Sequence, residues 1–316
     1  VKRLTRLFVI VILGAAIFLA VNGLLSKSMH RVVISSGETV TLKQVTVGKQ
    51  HRFTEGLWWQ HVLSRLPFAW CARFKRQTIT LHTTNETAIA WLMWTGLPTQ
   101  VYTFVPNYVV TDERGQSVYL TGVGGVTRLN DNAMVDARPL TVPSAGKMIR
   151  LGLYRSDTND RPLCIAEFKI PKPRRRAAVH SLLPEPLPIR RTEGKTGFAL
   201  TELLVETDVR TNRGFSAPLM HLSLRVTEDG LATTNWRLRK LHLSDAAGNQ
   251  GSYQVTSYPN ARGEEYWSGG VLLFPDEPAW KLKLEFEPRD SSIRETRRVE
   301  MVVKPRIVTE PLDLHR

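Results

Sequence analysis

The sequence predicts an all-β protein of two tandem antiparallel β-sandwiches, with an N-terminal transmembrane helix and a short helical insertion in the first sandwich. Three observations carry this expectation: an internal repeat, many short alternating segments between turn signals, and one apolar run near the N-terminus. The repeat is clearest where Val271–Phe286, VLLFPDEPAWKLKLEF, echoes Leu140–Tyr154, LTVPSAGKMIRLGLY. Pro143 and Pro275 stand 132 residues apart, as do Met148 and Trp280, Thr95 and Thr227, and Lys172 and Lys304. Thr111-Asp112 with Gly115-Gln116 returns as Ser244-Asp245 with Gly248-Asn249 at nearly the same shift. A chain of 316 residues has room for two such units, each with its own core. The expected organisation is a cytoplasmic stub and anchor at 1–30, a first sandwich at 31–170, a connector at 171–196, a second sandwich at 197–308 and a tail at 309–316.

Leu7–Leu25, LFVIVILGAAIFLAVNGLL, contains Asn22 as its only polar side chain. At helical rise it spans about 28 Å, close to the hydrocarbon thickness of a bilayer. Lys2, Arg3 and Arg6 precede it while Lys27 and Arg31 follow, which favours a cytoplasmic N-terminus with the rest of the chain beyond the inner membrane. The alternative is a secretion signal cleaved near Val21-Asn22-Gly23.

In the first unit, VVISS and VTLKQVTV alternate apolar and polar residues across Arg31–Val47, the period of a half-buried strand. Further strands are expected at Thr78–His82, Ala88–Trp94, Val101–Val110, Ser117–Thr121, Met148–Tyr154 and Cys164–Ile170. Turn signals at Asp112–Gly115, Gly122–Gly125 and Asn130–Asn132 separate them. Matching Val40–Val45 to Phe198–Leu203 needs a shift of 158, so the first unit holds about 26 extra residues, placed at His51–Arg76. There Thr54 is a candidate N-cap, Leu57, Trp58, Val62, Leu63 and Leu66 have helical spacing, and Pro67 is a stop, which predicts a helix over 55–66. Its apolar stripe is read as core. In the alternative, Trp58, Trp59 and Trp70, with their basic neighbours, rest on the membrane surface.

The connector, PKPRRRAAVHSLLPEPLPIRRTEGKT, contains five prolines and is expected to be extended, without a sheet ladder. Its run Arg174, Arg175, Arg176 is either a solvated spacer or a contact with anionic lipid or polymer. In the second unit, strands are expected at Gly197–Val205, Leu219–Thr227, Trp236–Leu243, Tyr253–Thr256, Gly270–Phe274, Trp280–Phe286 and Arg298–Val303. Between them, Ser252–Gly270 reads as a loop carrying Tyr253, Tyr258, Tyr266 and Trp267 beside Glu264 and Glu265. Such aromatic faces beside carboxylates either pack locally or hold a sugar ring or another chain.

Lysine and arginine exceed acids to give a net charge of +14, which favours anionic neighbours. No zinc-finger, RNP or basic-zipper motif supports nucleic acid as the partner. In an oxidising compartment Cys71 and Cys164 form a candidate disulfide; the other reading is two buried thiols. Catalytic signatures fail one after another: there is no G-x-S-x-G turn, no H-E-x-x-H helix and no complete dinucleotide glycine set at Gly122–Gly125. Asn130, Asp131, Asn132 and Asp136 lack the frame of a calcium loop. Glu285 and Glu287 share a strand face with Lys281 and Lys283, which predicts cross-strand charge pairs instead of a glycosidase pair. No cofactor or metal is therefore expected. Cys71, Trp91 and Cys164 depart from immunoglobulin spacing, so the units are immunoglobulin-like in shape only.

FPDEPAWKLKLEFEP near the C-terminus, and VTLKQVTVGKQHRF at Val40–Phe53, resemble segments of uncharacterised membrane-anchored bacterial proteins of planctomycete and verrucomicrobial type. The resemblance implies tandem β-sandwiches behind a membrane anchor, and no activity. The expected function is thus a non-enzymatic, single-pass protein of the bacterial inner membrane, exposed beyond it for interaction or envelope assembly. One alternative is carbohydrate or cell-wall binding through the aromatic loop 252–270. A second is a hydrolase site in a cleft between the units, lined by His51, His61 or Glu265.

Overall fold

The computed structural model describes residues 31–34, 37–55, 77–96, 106–120, 125–130, 132–156, 162–174, 181–207, 218–260, 262–290 and 295–309. The expected membrane helix at 7–25, the helix over 55–66 beyond Glu55, and Trp58, Trp59, His61, Cys71, Asp131, Arg175 and Arg176 lie outside the described residues. Among the described residues there is no helix, and hence none long and apolar enough to cross a membrane.

The first half contains β1 (Arg31–Val33), β2 (Thr39–Thr54), β3 (Thr78–Thr95), β4 (Asn107–Thr111), β5 (Ser117–Tyr119), β6 (Val126–Asn130), β7 (Ala133–Leu140), β8 (Met148–Ser156) and β9 (Pro162–Pro171). They pair as two sheets, β1-β2-β3-β7-β6 and β5-β4-β8-β9. The second half contains β10 (Ile189–Glu193), β11 (Thr196–Glu206), β12 (Leu219–Glu228), β13 (Leu231–Ala232), β14 (Trp236–Asp245), β15 (Gln250–Gln254), β16 (Tyr258–Pro259), β17 (Glu265–Gly270), β18 (Trp280–Pro288), β19 (Arg297–Val303) and β20 (Arg306–Val308). Its sheets are β10-β11-β12-β17-β16 and β15-β14-β18-β19, the same order strand for strand, with β13 added to β12 and β20 added parallel to β11.

The ladders repeat down to their irregularities. β2 slips against β3 between Leu42 and Gln44, where the partners are Leu92 and Trp91. β11 slips against β12 between Leu200 and Glu202, opposite Leu224 and Ser223. These positions differ by the shifts of 158 and 132 read from the sequence. The turns repeat too. Asp112 Oδ1 accepts the N–H groups of Arg114 and Gln116 at 2.9 and 2.8 Å, and Asp245 Oδ1 accepts that of Asn249 at 2.8 Å. Gly115 and Gly248 stand at φ +84° and +82°, the left-handed position a three-residue hairpin loop demands. One pairing needs correction: Trp280 corresponds to Ile149, not Met148, because Ile149 and Trp280 are the buried partners of Ile170 and Val303. A two-residue period sends every second side chain inward, so a one-residue misalignment puts the match on the wrong face.

Three further expectations change. β6 and β7 form strands where none was expected, β17 forms a strand where a loop was read, and Gly270–Phe274 past Gly270 is a buried connection. The end of the connector pairs as β10, with Arg190 opposite Ala199, so its Pro-rich part stops short of Ile189. His51–Thr54 and Thr78–His82 are arms of the β2–β3 hairpin, and β3 is one strand, not two.

That hairpin doubles back over its own sheet. Gly48 pairs with Thr87 and Gln50 with His82, leaving four residues, 83–86, bulged out of β3. Thr83 Oγ1 donates to the Asn85 carbonyl at 2.8 Å with the Gly48 and Lys49 carbonyls 3.4 Å away, and His51 bridges Thr46 and Thr83. Along a straight strand Ile79 and Trp91 would stand about 40 Å apart, yet Phe53, the partner of Ile79, stacks on Trp91 with centroids 5.3 Å apart. Phe53, Ile79 and Leu81 thereby cover Ile89, Trp91, Val135 and Ala137, a second apolar cluster on the outer face of this sheet.

The inner faces of both halves join one continuous apolar core, from Ile34 to Val303. Among the acids buried in the two halves are Asp136 and Glu265. Asp136, opposite Leu92, meets Arg138 Nε at 2.7 Å and the Tyr108 hydroxyl at 2.5 Å. Glu265, opposite Leu224, meets Arg289 at 2.8 Å and the Ser257 hydroxyl at 2.5 Å. Burial pushes the Asp136 carboxyl up, with Arg138 pulling it back.

The halves are fused through the second half's turn. Asn249 accepts the Val142 N–H and donates to the Val142 carbonyl, both at 2.8 Å, and bonds Asp245 besides. Tyr119 N donates to Val271 O at 3.0 Å, Thr141 Oγ1 donates to Leu272 O, and Ser144 N donates to Glu277 Oε1 at 2.6 Å. Asn249→Ala is expected to lower unfolding stability by roughly 1–3 kcal/mol, since it orphans buried backbone groups. Gln116→Ala, at the matching half-exposed position, should cost less; urea midpoints compare the two. Burial raises the Glu277 carboxyl, the charges of Asp245 and Asp276 push the same way, and the Ser144 N–H pulls back. The folded state then holds a proton that the unfolded chain releases, so stability should fall as pH rises from about 4.5 through the folded value. Glu277→Gln is expected to flatten that slope in urea melts at stepped pH.

Candidate functional site

Polar chemistry collects on the outer face of β11-β12-β17-β16, the face that its counterpart in the first half fills with hydrocarbon. Alternation along β12 sends Met220, Leu222, Leu224 and Val226 into the core and puts His221, Ser223 and Arg225 on the other side. His221 Nδ1 lies 2.7 Å from the Tyr266 hydroxyl on β17, and Nε2 lies 3.1 Å from Glu206 Oε2 on β11. A carboxylate only accepts, so Nε2 donates to Glu206; in the neutral ring Nδ1 then accepts from the Tyr266 O–H. His221 and Glu206 are buried. Tyr258 on β16 stands directly across from Tyr266 and is 66% exposed. Arg225 meets Glu264 at 3.1 Å beside them.

The layout resembles nucleophile, base and orienting acid. Its electrostatics oppose that use. Burial raises the Tyr266 hydroxyl, Glu206 and Glu202 push it further, and a Ser268 hydrogen bond pulls it back. The group is held as a phenol, fitted to donate a hydrogen bond and not to attack as tyrosinate.

The aromatic set expected at 252–270 is divided between two faces. Tyr253 donates to the Gly270 carbonyl and meets Trp267 edge-on at 4.7 Å, and both pack against the core. Tyr258 and Tyr266 share the outer face. Glu264 and Glu265, expected beside these aromatics, are committed to Arg225 and Arg289. His51 sits in the hairpin corner, where burial lowers it, and Glu265 sits inside the second half, so neither lines the cleft between halves. Asn130 turns onto the Asn132 N–H, Asp136 is inward, and no His, Cys, Asp or Glu group among the described residues is arranged to hold a metal. Lys281 and Lys283 pair with Glu300, and Glu285 and Glu287 with arginines, the cross-strand ladder expected of them. Cys164 is an exposed free thiol, and Arg174 is exposed. Sequence reasoning missed His221 and Glu206. The available signal was the run Leu219–Arg225, whose period places His221, Ser223 and Arg225 on one face.

No family model matches this chain, and no curated protein does. Among solved structures, it is similar to a pullulanase from Anoxybacillus sp. LM18-11 at 7% identity and TM-score 0.19, covering 66% of this chain and 23% of that one. It is also similar to a DUF4785 family protein from Legionella pneumophila at 11% identity and TM-score 0.18, covering 72% of this chain and 59% of that one. The chain thus spans under two thirds of either neighbour.

Tyr266→Phe leaves His221 Nδ1 buried without its hydroxyl and is expected to destabilise by roughly 1–2 kcal/mol. Tyr258→Ala, at an exposed position, should stay within about 0.5 kcal/mol of the parent. Paired urea titrations read both.

Proposed function

We propose that the chain is a non-enzymatic, membrane-tethered protein of a bacterial envelope, acting in interaction or assembly. In this reading Leu7–Leu25 is the anchor, and residues 31–170 and 197–308 are tandem immunoglobulin-like sandwiches held beyond the membrane. The observation that carries it is the fused junction: one core runs through all four sheets, and Asn249 and Glu277 tie the halves by buried side-chain bonds. A unit joined this way works as a stiff spacer that holds a surface at a set distance, a mechanical role that needs no reaction. The Tyr266 phenol, held protonated beside His221, supports the same assignment. The net charge of +14, with Arg174 and Arg190 exposed at the connector's two ends, favours an anionic polymer or an acidic face of another envelope protein as the partner.

Membrane fractions washed with alkaline carbonate test the tether. The full chain should stay with the lipid, and a chain lacking residues 1–25 should move to the supernatant. Release of the full chain, or a mature N-terminus near Leu24, would replace the anchor with a cleaved signal. Crosslinking in cells followed by mass spectrometry should recover an envelope partner, and recovery of cytoplasmic proteins alone would overturn the placement.

A further inference from the structure

The fusion of the halves leaves a cleft of about 250 Å³ between the β3 bulge and the β14–β15 turn. Its walls include Thr84 and Asn85 from the bulge, Tyr119 from β5, Gln250 from β15, and Leu140 and Leu272 beneath. We infer that this cleft binds a single neutral sugar ring, a role separate from the tether and from the Tyr266 face.

Four observations lead there. No charged residue lines the cleft, although charged residues make up 23% of the chain and its net charge is +14. Such walls offer an anion no cation and an ammonium no carboxylate, so a charged ligand would be desolvated without a partner. The polar groups that do face the cleft are amides and hydroxyls. Asn85 Nδ2 donates to Gln250 Oε1 at 2.9 Å, which orients both amides across the junction. That bond leaves Asn85 Oδ1 to accept and Gln250 Nε2 to donate, side by side, the pattern that adjacent ring hydroxyls satisfy. Leu120, Leu140, Leu272 and Pro139 supply apolar wall for the C–H face of a pyranose. The volume falls below the roughly 300–1,000 Å³ of sites for drug-sized ligands, which suits one ring and no more.

A peptide fits less well. Peptides dock on free backbone edges, and here Tyr119 N is already bonded to Val271 O.

The test uses the purified full chain in a non-sugar detergent, titrated calorimetrically and by saturation-transfer NMR. Glucose, galactose and N-acetylglucosamine serve as neutral probes, glucuronate and glucosamine as charged counterparts, and trialanine as the peptide. At least one neutral sugar is expected to bind saturably with a Kd in the range of roughly 1–10 mM. The charged sugars should bind about tenfold more weakly or worse, and Asn85→Ala or Gln250→Ala should each weaken the neutral sugar by about tenfold. Both residues are exposed, so the urea midpoints of these variants should match the parent, and Thr84→Ala gives an independent third probe. The proposal is overturned by no saturable binding of any neutral sugar up to about 50 mM. Equal binding of the charged sugars, binding of trialanine in their place, or binding indifferent to all three variants would overturn it as well. The tether survives all of these outcomes, since carbonate extraction reads it separately.

Discussion

A sheet has two faces, and the constraint that organises this chain is that each half must bury one row of side chains and still find a use for the other. The inner rows are solved alike. Leu42, Leu92 and Leu151 in the first half, and Leu200, Leu224 and Leu282 in the second, are buried in one shared core. Phe198 stacks on Phe286 across the second pair of sheets at 4.4 Å. Strand order, bulge position and turn geometry repeat because these rows must meet the same partners.

The outer faces are solved in opposite ways, and there the halves part. Where the second half has Ser223 and Tyr266, the first has Trp91 and Ala137, apolar residues that water would penalise. The folded-back arms of the β2–β3 hairpin answer that cost by laying Phe53, Ile79 and Leu81 over them. Among the described residues β11 and β12 are shorter and bring no such arms, and the second half's outer face is tied by hydrogen bonds among Tyr266, His221 and Glu206. The arms His51–Thr54 and Thr78–His82 thus cover a hydrophobic face, and the corner where they turn back also forms one lip of the cleft between halves.

Fusion of the halves gives these surfaces their mechanical meaning. Asn249 is at once a turn residue of β14–β15 and the clamp on Val142, so the local geometry of one hairpin is tied directly to the first half. Buried amide and carboxyl groups of this kind are costly when unpaired, which makes the joined arrangement specific as well as stable.

Composition and period alone determined the all-β class, most of the strands, the shifts of 132 and 158, and the charge ladder on β18, because alternation and turn chemistry are local properties of the chain. They also marked extra residues at His51–Arg76, without revealing that the hairpin arms there fold back. β7 and β17 escaped notice because their inward positions carry Asp136, Arg138 and Glu265, which read as solvent-facing until partners on other strands neutralise them. Likewise Tyr253, Tyr258, Tyr266 and Trp267 looked like one aromatic loop, and only sheet pairing separated them onto two faces. The Tyr266, His221 and Glu206 chain joins three strands, and the cleft joins two halves. Contacts between residues so distant in sequence are set by packing, and no local period encodes them.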